Sequence, residues 1–118
     1  MRACNVRFDN VDRAPKFDFA DADLLPEDRT LLQQVAQCVT TGPLKHRSLR
    51  LAGRADPRGG LEYNMTLGDH RADTVRRYLG GLGVDTKRIA ETSRGELDAT
   101  GTDETGWRQD RRVDIALQ

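Results

Sequence analysis

"GRADPRGGLEYNMTLGDHRADTVRRYL", residues Gly53–Leu79, decides the fold. It opens as a glycine-rich turn and continues as a charged helix. At about 100° per residue, Leu61, Met65, Gly68, Ala72, Val75 and Leu79 fall in one narrow sector, the expected buried face. Asn64, Leu67, Arg71 and Tyr78 lie together roughly 60–120° to one side, on a flank that can border a neighbouring loop. Asp69, Asp73, Arg76 and Arg77 point away and read as solvated. The helix begins near Leu61 and ends in the run Gly80–Gly83, where glycine stops a helix readily.

Outward on the N-terminal side, "RSLRLAGRAD" alternates through Leu49 and Leu51 and reads as a strand running into the turn. Before it, "APKFDFADADLLPEDRTLLQQVAQCVTTGP" reads as a short strand followed by a helix. Phe17 and Phe19 should share one face of the extended segment, with Asp18 on the other. Pro26 suits the first helical position, and Glu27 and Asp28 follow where the helix dipole favours anions. Leu31, Leu32, Val35, Cys38 and Val39 form an apolar stripe, and Gly42-Pro43 ends the helix.

On the C-terminal side, "TKRIAETSRGE" holds a weaker strand around Ile89 to Ser93. Thr102 is the expected cap of a short helix carrying Asp103 and Glu104 in its first turn. "RRVDIALQ" closes the chain as a strand through Val113, Ile115 and Leu117. The expected architecture is α+β, in the order βαβαβ(α)β. Two long helices pack on one face of a mixed four-stranded sheet. Residues 1–13 read as an N-terminal segment and 14–118 as a single domain.

Composition narrows the function. Nineteen basic and nineteen acidic side chains balance to zero net charge, so the basic surplus of a nucleic-acid binder is missing. No apolar run reaches the length of a membrane span. "MRACNVRFDN" has no apolar signal core, so on its own it suits either a cytosolic chain or one trimmed of its leader. Hydrophobic content of 36% implies a small core. Of the two histidines, His46 sits in a polar loop and His70 opposite the buried stripe, so neither is placed to serve a nucleophile. No metal constellation stands out. The carboxylate pairs Asp21/Asp23 and Asp103/Glu104 are explained by helix starts. "GRADPRGG" lacks the Lys-Ser/Thr ending of a phosphate loop. An enzyme is not expected, and neither is a cofactor.

Asp56 and Arg71 remain. Asp56 can simply open a turn before Pro57, with Arg71 solvating a helix flank. Alternatively, the turn hangs Asp56 over the flank that holds Asn64, Leu67 and Arg71. A carboxylate and a guanidinium several ångströms apart would then grip one ligand's ammonium and carboxylate together, the planar guanidinium fork matching the carboxylate. Leu67 would floor the site for an aliphatic stem.

These residues carry a resemblance. Asp56, Gly59, Tyr63, Asn64, Leu67, Gly68, Arg71, Ala72, Val75, Tyr78 and Leu79, with the opening "FDFADADLLPE" and the closing "RRV", resemble the peptidoglycan-binding OmpA C-terminal-like family. That family is shared by OmpA, MotB and the peptidoglycan-associated lipoproteins, and the last are most similar in style. The resemblance spans about Phe17 to Leu117. It implies a non-enzymatic module that binds the peptidoglycan stem peptide through meso-diaminopimelate and anchors the outer membrane to the cell wall. Asp56 then takes the ammonium and Arg71 the carboxylate, while Asn64, Leu67 and the loop around Ala20 frame the stem. Arg111, at the family's Asn-Arg-Arg position, is either a buttress of the site or an ordinary surface arginine at a strand start.

The departures fall on the rim. Ala20 stands in place of a polar residue, usually Asp, and Asp110 in place of Asn. Arg94 stands where Tyr is common, and the proline after Gly95-Glu96 is missing. They leave room for a second reading, a protein–protein module of the envelope with a vestigial wall pocket and Tol-type partners. The resemblance also implies a periplasmic setting with the outer-membrane anchor outside the given chain. In that setting the two cysteines, Cys4 and Cys38, can pair as a disulfide contributing roughly 3–4 kcal/mol. The alternatives are two separate thiols, or Cys4 as a lipid-bearing residue.

Overall fold

The computed structural model describes Phe8, Val11 and residues 13–118. Helix α1 spans Pro26–Thr40, strand β1 Leu49–Arg54, helix α2 Leu61–Gly81, strand β2 Ile89–Gly95, helix α3 Glu104–Asp110 and strand β3 Val113–Leu117, with a 3-10 turn at Thr86–Arg88. The sheet is mixed, in the order β2-β1-β3. β1 runs parallel to β2, with Leu49 opposite Ile89, and antiparallel to β3, with Leu51 opposite Ile115.

The sheet has three strands rather than the expected four. The segment expected as the first strand contributes one bridge, Lys16 to Arg112. It is flanked by the Phe17 N–H donating to Arg111 O at 2.9 Å and the Val113 N–H donating to Pro15 O at 3.1 Å. The chain then leaves the sheet, because Ala20 takes a left-handed conformation with φ 57°. This turn also separates two side chains expected on one face. Phe17 is fully buried, whereas Phe19 is 56% exposed.

α1 begins as the sequence indicates, with Pro26 in its first turn and Glu27 and Asp28 behind it. Asp28 Oδ2 accepts from the Lys16 backbone N–H at 3.0 Å, tying the helix start to the bridge segment. Its stripe of Leu32, Val35, Ala36, Cys38 and Val39 joins Phe17, Leu49, Leu51, Ala72, Val75, Leu79, Val113 and Ile115 in one core. Leu31 is only partly buried at its edge. Cys38 is disulfide-bonded; Cys4 lies outside the described residues.

α2 is rotated from the expectation. Leu61 is exposed and Met65 half-buried, whereas Asn64, Leu67 and Arg71, expected on a flank, are buried along with Gly68, Ala72, Val75 and Leu79. A backbone contact sets this rotation. A Cβ on Gly53 of β1 would stand 1.7 Å from the Gly68 carbonyl oxygen, and one on Gly68 would stand 2.7 Å from the Gly53 oxygen. Two facing glycines let helix and strand touch main chain to main chain. The Asn64–Arg71 side of α2 is thereby held over the C-terminal end of β1. At α3 the observed cap is Asp103, whose carboxylate accepts from the Gly106 N–H at 3.0 Å, one residue later than the expected Thr102.

Candidate functional site

β1 ends at a bulge. The register with β2 shifts between Gly53 and Arg54, so that Arg54 faces Gly95. Such an irregularity bends a strand and re-aims the residues beyond it. The chain turns through Ala55 to Asp56, and the turn is braced from below by Asn64. Nδ2 of Asn64 lies 3.3 Å from Asp56 O, 3.0 Å from Arg58 O and 2.7 Å from Glu96 Oε1. Asn64 therefore fixes the loop as well as lining the cleft beneath it.

That cleft is bounded by Phe19, Ala20, Asp56, Arg58, Leu67 and Arg71, with Asn64 and Tyr63 beside them. Five of the six residues expected at the site, Asp56, Arg71, Asn64, Leu67 and Ala20, line it. Arg111, the sixth, stands behind Asp56. It is buried, which removes the surface-arginine reading. Its Nε donates to Phe17 O at 2.7 Å, Nη1 to Asp56 Oδ2 at 3.2 Å and Nη2 to Glu104 Oε2 at 2.7 Å. One guanidinium thus links the bridge segment, the turn and α3. Burial lowers its affinity for a proton, but Glu104 and Asp56 outweigh that and raise it above the ordinary arginine value.

Asp56 is 3% exposed. Burial pushes its pKa up, and the hydrogen bonds from Arg58 and Arg111 more than offset this, holding the carboxyl below its usual 3.8. Arg58, absent from the sequence-based site, is the principal donor. Its backbone N–H reaches Oδ1 at 3.0 Å, its Nε reaches Oδ1 at 3.4 Å and its Nη2 reaches Oδ2 at 3.0 Å. The guanidinium is layered between two rings, 4.0 Å from the Phe19 centroid and 3.9 Å from that of Trp107. The Asp-Pro-Arg order offered a weak signal for this. The aromatic partners come from residues 39 positions before and 49 after it, which no local pattern reveals.

Arg71 is fully buried and has no carboxylate within ion-pair distance among the described residues. Its Nε donates to Asp21 O at 2.8 Å, Nη1 to Arg54 O at 2.9 Å and Nη2 to Asp18 O at 3.0 Å. These bonds clamp the turn at residues 18–21 onto the end of β1, assisted by Thr74 Oγ1 donating to Ala22 O at 2.7 Å. Of the five guanidinium N–H groups, three are thus used and two remain. Burial, with Arg111 adding to it, pulls the Arg71 pKa down to about 10. A charge taken out of water without an anion is costly, and a ligand carboxylate would relieve that cost.

The OmpA family profile matches residues 16–113. The chain is 41% identical over 103 residues to a peptidoglycan-associated lipoprotein of Pseudomonas putida, covering 84% of this chain and 59% of the relative. It is 37% identical over 103 residues to outer membrane protein A of Bordetella avium, covering 86% and 52%. The chain thus spans little more than half the length of these curated relatives. The crystal structure of the peptidoglycan-associated lipoprotein from Burkholderia pseudomallei is similar with a TM-score of 0.83 and 39% identity, over 90% of each chain. The match to the family over most of its length, on the fold described above, establishes that this chain belongs to the OmpA family.

Proposed function

We propose that the cleft is a non-enzymatic receptor for the peptidoglycan stem peptide, taking the free ammonium and carboxylate of meso-diaminopimelate, and that the domain anchors the outer membrane to the cell wall from the periplasm. The observation that carries this reading is Arg71: a buried guanidinium, held rigid by three carbonyl oxygens, with two donors left and no carboxylate of its own among the described residues. Asp56 in the same cleft supplies the opposite charge. Relatives named peptidoglycan-associated lipoprotein, about 40% identical over most of the chain, support the class of ligand. Ionic hydrogen bonds contribute about 1.5–3 kcal/mol each, so a single site is of modest affinity and many copies facing one polymer supply retention.

The test is a titration of the isotope-labelled domain with two muropeptides, one containing diaminopimelate and one containing lysine, which lacks the second carboxylate. Shifts at Arg71, Leu67 and Ala20 are expected with the first only. Equal response to both, or none to either, removes diaminopimelate from the proposal. A second reading is an envelope protein–protein module, with Tol-type partners and a vestigial pocket. It is favoured by the small free space of the cleft, about 10 Å³, room for roughly one water. Silence toward both muropeptides together with capture of a Tol-type protein would select it.

A further inference from the structure

We infer that Arg58 is a built-in competitor for the ammonium half of the cleft, and that a zwitterionic ligand seats only as the Arg58 side chain swings off Asp56. The inference rests on the reading of the cleft as an amino-acid receptor and specifies how that receptor is gated.

The carboxylate geometry carries it. An ionised carboxylate offers about four acceptor positions. At Asp56 four donors claim them: the backbone N–H, Nε and Nη2 of Arg58, and Nη1 of Arg111. No position is left for an incoming ammonium. The charges point the same way. Arg58 and Arg111 both pair with Asp56, and although Glu104 shares them, an incoming ammonium would still enter beside two guanidinium groups already on this carboxylate. One of the present donors must therefore leave.

Arg111 is not the one. Its side chain is buried, and its other nitrogens are fixed to Phe17 O and Glu104 Oε2. The Arg58 side chain is 34% exposed, sits on a turn rather than a helix or strand, and hydrogen-bonds through its guanidinium to Asp56 alone, with Glu104 at the edge of ion-pair range. A landing place is at hand, since Glu104 Oε1 lies 3.9 Å from Arg58 Nη2. Leaving Asp56 opens the cleft while the backbone N–H of residue 58 stays on Oδ1, so the turn keeps its shape. The stacking of Arg58 between Phe19 and Trp107 holds the closed position, since cation–ring contacts favour the guanidinium where it is.

Gating of this kind lowers apparent affinity by the fraction of molecules already open. Removing the competing guanidinium should raise affinity, whereas removing an ordinary ligand contact should lower it. The experiment is calorimetric titration of the wild-type domain and Arg58→Gln with a diaminopimelate-containing muropeptide, with fluorescence recorded from Trp107, the single tryptophan of the chain. Arg58→Gln is expected to bind about tenfold more tightly. Ligand should change Trp107 emission in the wild type, as the guanidinium leaves the ring, and much less in the variant. Phe19→Leu, which loosens the stack at an exposed side chain and leaves Asp56 alone, should also tighten binding, and it replaces Arg58→Gln should that variant melt early.

Wild-type binding with equal or weaker binding by these variants overturns the gate and leaves the receptor standing. Binding by none of the three proteins overturns the receptor and the gate together.

Discussion

Asp56 and Arg71 line one cleft and form no ion pair with each other. Asp56 is neutralised by Arg58 and Arg111, and Arg71 is held by the carbonyl oxygens of Asp18, Asp21 and Arg54. Opposite charges thus share a cleft without neutralising each other. Each also carries part of the fold, which governs what substitutions there can reveal.

Arg71→Met is expected to abolish muropeptide binding and to lower stability by about 1–3 kcal/mol, because three carbonyls lose their donor while a desolvated charge is removed. Arg71→Lys keeps the charge but not the fork, so it should lose most binding with a smaller loss of stability. Urea unfolding read beside titration separates the two effects. Hydrogen exchange should rise at residues 18–21 in Arg71→Met.

Acid should weaken the fold through Asp56. Its folded pKa lies below the ordinary 3.8, so as pH falls the unfolded chain takes up the proton first. The stabilisation is complete above 3.8 and is lost as pH falls through the folded value. Wild-type stability measured by denaturant titration should drop across that window. Asp56→Asn should be less stable at neutral pH and fall less steeply across that window. The remaining slope comes from Asp98 and Glu104, which arginines also hold low, so the two curves approach each other in acid.

The Gly53–Gly68 contact sets the rotation of α2. Gly53→Ala puts a methyl into a carbonyl oxygen that cannot move aside, and a loss of about 3 kcal/mol or more is expected. Gly68→Ala meets Ser93 Oγ at 2.4 Å, a side chain that can turn by giving up its bond to Met65 O, and then the Gly53 oxygen at 2.7 Å, a milder backbone clash than the 1.7 Å at Gly53. Its cost should be the smaller of the two. Thermal unfolding of both variants ranks them.

At Ala20, φ of 57° is a conformation glycine adopts freely and a side chain resists. Ala20→Gly should be neutral or stabilise by up to about 1 kcal/mol, and Ala20→Val should destabilise. The midpoint of urea unfolding decides the order. Because Ala20 lines the cleft, Ala20→Val should also weaken ligand binding, as measured by titration.

Local chemistry made much of this legible. Pro26 and the acids behind it place the start of α1, alternation at Leu49 and Leu51 places β1, and the Gly80–Gly83 run brackets the end of α2. The depth of the site was not legible. Helical periodicity put Leu61 in the core and Arg71 on a flank, yet Leu61 is exposed and Arg71 fully buried. Apolar spacing carries no information about a main-chain contact such as Gly53 against Gly68.

The sequence by itself determined the order of elements after the bridge segment, the apolar stripe of α1 and the presence of an acid and a base that could share a ligand, because these follow from neighbours within a turn or two of chain. Only the tertiary structure decided that the first strand shrinks to a bridge, that Arg111 stands behind Asp56 and that Arg58 lies between Phe19 and Trp107 with its guanidinium on Asp56. Those outcomes depend on backbone approach and on side chains meeting from distant parts of the chain, and the energies of such contacts exist only once the chain has closed on itself.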